Sequence, residues 1–305
     1  VAIARWVVLG VLALPALLVL DTAIGWLLAL GYKARYFIQP SDARERTVSV
    51  LPGYSNPMPA FLQGVRRIFE QYGPIIGLRY GPDMDEDKLY RLWLDGLRQA
   101  NGPQAQMVYG HSFGAQLAWR LMRRYYAAGC PFGPVEEFII DCAPSKASTL
   151  HLPVPAPVLR RVLQFYRGGP IIFQLLEVIN WITGKLNPMP VSSETDREVY
   201  RRYVRGMRWF QPRARAAQLK FMLEFDVTVT QEEPIPGFTG RVLIINGADP
   251  NLDPMVDQPA ATADWLGVHP NAVVMHNGRV RHANPVEWPM AYCWMTDQVY
   301  QPSSG

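Results

Sequence analysis

The stretch that most constrains this chain is Gly110-His111-Ser112-Phe113-Gly114, a GxSxG pentapeptide set between a strand-like run and a helix-like run. Before it, Gln104-Ala105-Gln106-Met107-Val108-Tyr109 is short and apolar towards its end. It follows the turn signal Asn101-Gly102-Pro103, which suits a buried parallel strand. After it, over residues 115–128, Leu117, Leu121, Met122 and Tyr125 recur at helical spacing, and Arg120, Arg123 and Arg124 are left for exposed faces. A sharp strand-to-helix turn has a strained backbone and no room for side chains. Gly110 and Gly114 meet that need, and such a turn lifts the Ser112 hydroxyl clear of the sheet. Ser112 is therefore a candidate nucleophile, with Gly110, His111 and Gly114 as its elbow. The bland alternative is a glycine-rich turn with an incidental serine.

Strand, elbow and helix in this order resemble the α/β-hydrolase family, and the resemblance implies where the partners of Ser112 lie: an acid and then a base, later in the chain. The run Arg241-Val242-Leu243-Ile244-Ile245-Asn246 reads as a strand, and Asp249 follows it where the family places its acid. Asp253, one turn further on, and Asp141, at the end of Phe138-Ile139-Ile140-Asp141, are the alternatives. Residues 271–275 read as another strand, with His282 in the loop beyond it as the expected base. Among the five histidines His276, at the strand's end, is its rival.

The chemistry calls for these residue types. A serine hydroxyl is a weak nucleophile, so an imidazole must take its proton during attack on a carbonyl, and a carboxylate orients and stabilises that imidazole. The developing oxyanion needs donors, which the family takes from the residue after the nucleophile and from a loop after an early strand. Phe113 N–H is the first. Thr47-Val48-Ser49-Val50-Leu51 runs into Pro52-Gly53-Tyr54-Ser55, resembling the family's loop with Pro52 where His is common, and Tyr54 N–H is the expected second donor.

The remaining apolar runs complete a doubly wound, mostly parallel α/β sheet, with strands near 47–51, 75–80, 104–109, 137–142, 241–247 and 271–276 and helices over 58–72 and 85–100. Asp83, Asp85, Glu86 and Asp87 do not form a calcium loop, because Lys88 stands where glycine is required. They read as a capped helix start. The interval between Asp141 and Arg241 is too long for a crossover, so residues 145–235 form a helical insertion, which the resemblance implies is a lid. Its apolar segments (159–165 and 171–182), its aromatics Trp181 and Trp209 and its many arginines suit an acyl-lipid substrate at an anionic surface. A self-packed helical subdomain with solvated arginines is the alternative.

Residues 6–20 are uninterruptedly apolar and 23–30 extend the run past Asp21 and Thr22, enough to cross a hydrocarbon core of roughly 30 Å as a helix. Residues 1–32 are thus expected to be a transmembrane anchor, with Asp21 costing about 3 kcal/mol at the bilayer centre, and residues 33–305 the α/β-hydrolase domain. A cleaved signal peptide and a buried core helix are the rivals. Lys33, Arg35, Arg44 and Arg46 after the span place the catalytic domain on the cytoplasmic side by the positive-inside rule. Cys130, Cys142 and Cys293 have no metal-ligand spacing and make no disulfide framework. With no nucleotide, nucleic-acid or metal motif, neither a cofactor, a metal nor a nucleic-acid partner is expected. The expectation is a single-pass membrane serine hydrolase acting on a small-molecule or lipid ester or thioester. An acyltransferase using the same triad and a non-catalytic binding or scaffold protein are the alternatives.

Overall fold

The computed structural model describes residues 2–100, 105–174, 197–208, 210–229, 235–278, 282 and 285–293. Seven strands form one sheet: β1 (Arg35–Gln39), β2 (Thr47–Leu51), β3 (Ile75–Arg79), β4 (Gln106–His111), β5 (Val135–Asp141), β6 (Arg241–Asn246) and β7 (Val273–His276). Their order is β1-β3-β2-β4-β5-β6-β7. All neighbours are parallel except β1, which runs antiparallel to β3. The six parallel strands are those the apolar runs predict. The seventh, β1, is absent from that prediction because its apolar residues are only Tyr36, Phe37 and Ile38, set between Arg35 and Gln39.

Alternation along the strands divides two cores between the two faces of the sheet. Met107, Tyr109, Ile139, Leu243 and Ile245 pack with Phe61, Val65 and Ile68 of helix α2 (Met58–Phe69). Val108, Phe138, Ile140, Val242 and Ile244 face the other way. They meet Trp93 of α3 (Glu86–Gln99) and Phe113, Leu117 and Leu121 of α4 (Phe113–Ala127). The acidic cluster does start a helix: Asp85 caps α3 by accepting from Lys88 N–H at 3.0 Å. Glu86 pairs with Arg120 of α4 and Asp87 with Arg124, both at 2.6 Å.

Connections from β2 lead outward to β3 and back across to β4, so the strand order reverses direction at β2. In open α/β sheets such a reversal leaves a crevice outside the carboxyl ends of the strands, and here it lies between the loops that follow β2 and β4.

The described helices between β5 and β6 include α5 (Ala156–Phe165), α6 (Arg197–Arg208) and α7 (Pro212–Glu224), and residues 170–174 are helical too. The apolar stretch 175–182, Trp181 and Trp209 fall outside the described residues. Two of the insertion's arginines tie helices together: Arg160 donates to the Leu223 carbonyl and Arg215, itself buried, to that of Met207. Helix α8 (Gln258–Val268) returns the chain from β6 to β7.

The expected membrane anchor is corrected by the structure. Residues Ala2–Ala29 do form a helix, α1, but among the described residues no helix is long and apolar enough to cross a membrane. The single-pass membrane placement and its cytoplasmic orientation fall with it. Asp21 explains the difference. It is fully buried, and its carboxylate accepts from Tyr166 O–H at 2.8 Å, Ile171 N–H at 2.7 Å and Ile172 N–H at 3.1 Å. A charge that would oppose insertion into lipid instead docks the helix on the segment after α5. Any Cβ at Gly25 would overlap the Gly168 carbonyl there. On its outer side α1 leaves Val19, Leu20, Leu27 and Leu28 exposed.

Candidate active site

Strand β4 ends at His111 and α4 begins at Phe113, leaving Ser112 alone at the junction with φ 50° and ψ −121°. A non-glycine residue in such a conformation costs about 1–3 kcal/mol and persists only where its surroundings over-determine it. Here Ser112 N–H donates to the Asp141 carbonyl at 2.7 Å, and the Ser112 carbonyl accepts from Ala115 N–H at 3.0 Å. The two glycines are sterically obligatory. A Cβ at Gly110 would overlap Ala115 Cα, and one at Gly114 would overlap the Leu51 carbonyl at the end of β2.

The strained turn sets Ser112 Oγ 3.0 Å from His282 Nε2, and His282 Nδ1 lies 2.8 Å from Asp253 Oδ2. With the proton on Nδ1, the imidazole donates to the carboxylate and presents an acceptor to the serine hydroxyl. His276, at the end of β7, is exposed and outside this cluster.

Asp249, the expected acid, is also elsewhere. It is exposed and caps the 3₁₀ turn Pro250–Leu252 by accepting from Asn251 N–H at 3.0 Å. That turn carries the chain to Asp253, which is buried and accepts also from Met255 N–H at 2.7 Å, Val256 N–H at 3.1 Å and Gln258 Nε2–H. Burial alone would raise the Asp253 pKa, but the charge and hydrogen bond of His282, with the bonds from Met255 and Gln258, hold it below the ordinary carboxylate value.

The third candidate acid, Asp141, is fully buried behind the elbow. Tyr109 O–H donates to it at 2.5 Å and Tyr292 O–H at 3.3 Å. Burial pushes its pKa up to about 7, against those bonds and the nearby His282. Cys142, Asp253 and His282 bring a thiol, a carboxylate and an imidazole within 4.8 Å of one another, a set able to hold a metal ion. A metal there would compete for the His282–Asp253 hydrogen bond.

On the other side of Ser112 lies the loop after β2. Phe113 opens α4, so its N–H belongs to the first turn, which has no intrahelical carbonyl to bond. Tyr80 O–H donates to the Pro52 carbonyl at 2.8 Å. Gly53 N–H donates to His111 Nδ1 at 3.0 Å, which brings Tyr54, the next residue, beside the elbow. His111 thus does more than shape the turn. A shallow depression of about 570 Å³ beside α4, lined by Trp119, Arg120, Arg123 and Phe225 among others, includes none of these residues.

A family model described as the alpha/beta hydrolase family matches residues 25–287, and the chain belongs to that family. Among solved structures it is similar to MenH from S. aureus, with 14% identity, 87% of this chain and 97% of that one covered and a TM-score of 0.59. An esterase from Thermogutta terrifontis shares 15% identity, with 87% and 92% covered and a TM-score of 0.58. Esterase RhEst1 from Rhodococcus sp. ECU1013 shares 14% identity, with 88% and 94% covered and a TM-score of 0.57. At these identities the likeness is one of fold. No curated protein sequence matches the chain.

Proposed function

We propose that this chain is a serine hydrolase that cleaves a carboxylic ester or thioester through an acyl-enzyme. The observation that carries the reading is the continuous Ser112–His282–Asp253 hydrogen-bonded line, 3.0 Å and 2.8 Å long in its two steps, beside a helix N-terminus.

Ser112 Oγ attacks the substrate carbonyl carbon as His282 Nε2 takes the hydroxyl proton. Asp253 holds the imidazole by its Nδ1–H and stabilises the imidazolium. Phe113 N–H and Tyr54 N–H receive the negative oxygen of the tetrahedral intermediate. The C–O or C–S bond then breaks, His282 returns the proton to the departing alcohol or thiol, and an acyl-Ser112 ester remains. Water repeats the sequence in the second half, giving the free acid and restoring Ser112. The esterases among the structural relatives support the substrate class.

The test is turnover of a panel of p-nitrophenyl esters and acyl thioesters. The parent is expected to hydrolyse members of the panel, and Ser112→Ala to lose kcat by on the order of 10⁴-fold or more. Undiminished hydrolysis in folded Ser112→Ala would overturn the assignment. Transfer to an added alcohol in preference to water would redirect it to acyl transfer.

A further inference from the structure

The loop between β2 and α2 is held from two directions, and one of them is the insertion. On the sheet side His111 Nδ1 accepts Gly53 N–H at 3.0 Å and faces the Asn56 amide nitrogen at 2.9 Å. Both neighbours are donors, so Nδ1 is the unprotonated nitrogen of a neutral ring. That orients Asn56: its Nδ2 faces His111, and its Oδ1 accepts from Tyr203 O–H of α6 at 2.7 Å. Flipping the amide would set oxygen against the lone pair of His111. A second tether comes from α7, where Gln218 Oε1 accepts Ser55 N–H at 2.9 Å. Ser55, Asn56, His111, Tyr203 and Gln218 are all buried.

Two features show that this loop is constrained by its contacts. Ser55 has φ 60°, a left-handed conformation that costs a non-glycine residue energy and must be imposed by its neighbours. Phe61 of α2 packs on both His111, at 5.1 Å between ring centroids, and Tyr203, at 6.3 Å. Gly206 allows α6 this approach, since a Cβ there would lie 2.6 Å from Pro57 Cγ.

We infer that the insertion sets the oxyanion hole: Tyr203, through Asn56 and His111, and Gln218, through Ser55, are positioning residues that hold the Gly53–Tyr54 backbone in its working place. The inference rests on the hydrolase reading and adds a coupling between cap and chemistry. Donors fixed before reaction act most on the transition state, where negative charge develops on the oxygen. Loosening them therefore lowers kcat and leaves KM nearly unchanged, whereas a tether serving stability alone would lower the melting temperature and spare kcat.

The experiment compares the parent with Tyr203→Phe and Gln218→Ala, placed on separate helices so that either serves if the other does not fold. For each, kcat and KM on one p-nitrophenyl ester, the melting temperature and the Kd of an alkyl boronic acid, which forms a tetrahedral adduct on a reactive serine, are measured. In the folded variants kcat is expected to fall about tenfold, with boronate Kd rising in step and KM within about twofold. An unchanged kcat and boronate Kd in folded variants of an active parent would overturn the coupling alone. A folded parent with neither turnover nor boronate binding would overturn the hydrolase reading and this inference with it.

Discussion

Two aspartates four positions apart, Asp249 and Asp253, differ in what they touch: Asp249 caps a 3₁₀ turn, and Asp253 bonds the His282 ring. Only Asp253 is bonded to His282, and its buried carboxylate, held below the ordinary value, stays charged across the neutral range. Asp253→Asn keeps the shape but favours the wrong imidazole tautomer, so kcat is expected to fall by on the order of 10⁴-fold, while Asp249→Asn leaves it near the parent value. Steady-state kinetics on the two variants decide it, and the reverse ranking would restore Asp249. Ser112 and His282 are legible from chain order and strand context in the sequence. The acid is ambiguous at that level, because both aspartates follow the same strand and a 3₁₀ turn between them decides which one is buried. The roles of Asn56, Tyr203 and Gln218 left no mark in the sequence, since their partners lie far away along the chain.

At the scale of elements, strands with an apolar run announce themselves, the partly exposed edge strand β7 included, whereas β1, with three apolar residues between Arg35 and Gln39, does not. Strand β5 also carries a cost that its pattern hides. Glu137 is buried in it, 3.7 Å from Arg241 and 3.8 Å from Arg46, and burial raises its pKa to about 7 despite both arginines. A carboxylate whose folded value exceeds its unfolded one stabilises the fold below the unfolded value. That stability is lost as pH rises from about 4.5 to about 7, because the folded state holds the proton more tightly. Glu137→Gln is expected to remove this slope and to gain about 1–3 kcal/mol on the parent at pH 8 relative to pH 5. Urea denaturation of both proteins at the two pH values measures it. An identical pH dependence in the two would show that Glu137 does not titrate with folding.

For the whole molecule, the docking of α1 is invisible in its own apolar run, because the partner of Asp21 lies 145 residues away. The apolar run is real, but Asp21 within it is the acceptor for two backbone N–H groups and a tyrosine hydroxyl of the segment beyond α5. Asp21→Ala strands those donors at about 1–3 kcal/mol for each one left unsatisfied. The variant is expected to exchange the Ile171 and Ile172 amides faster and to be cut sooner by protease near α1, with the sheet's amides unaffected. Equal protection in parent and variant would mean that α1 is held by its apolar contacts alone.

Every step of the proposed reaction requires Ser112 to be a nucleophile activated by His282. Treating the folded protein with a fluorophosphonate and locating the adduct by peptide mass spectrometry tests that directly. The expected result is a single phosphonyl group on Ser112, absent from Ser112→Ala and strongly slowed in His282→Ala but not in His276→Ala. A folded parent left unmodified at Ser112, or one labelled equally fast without His282, would contradict it.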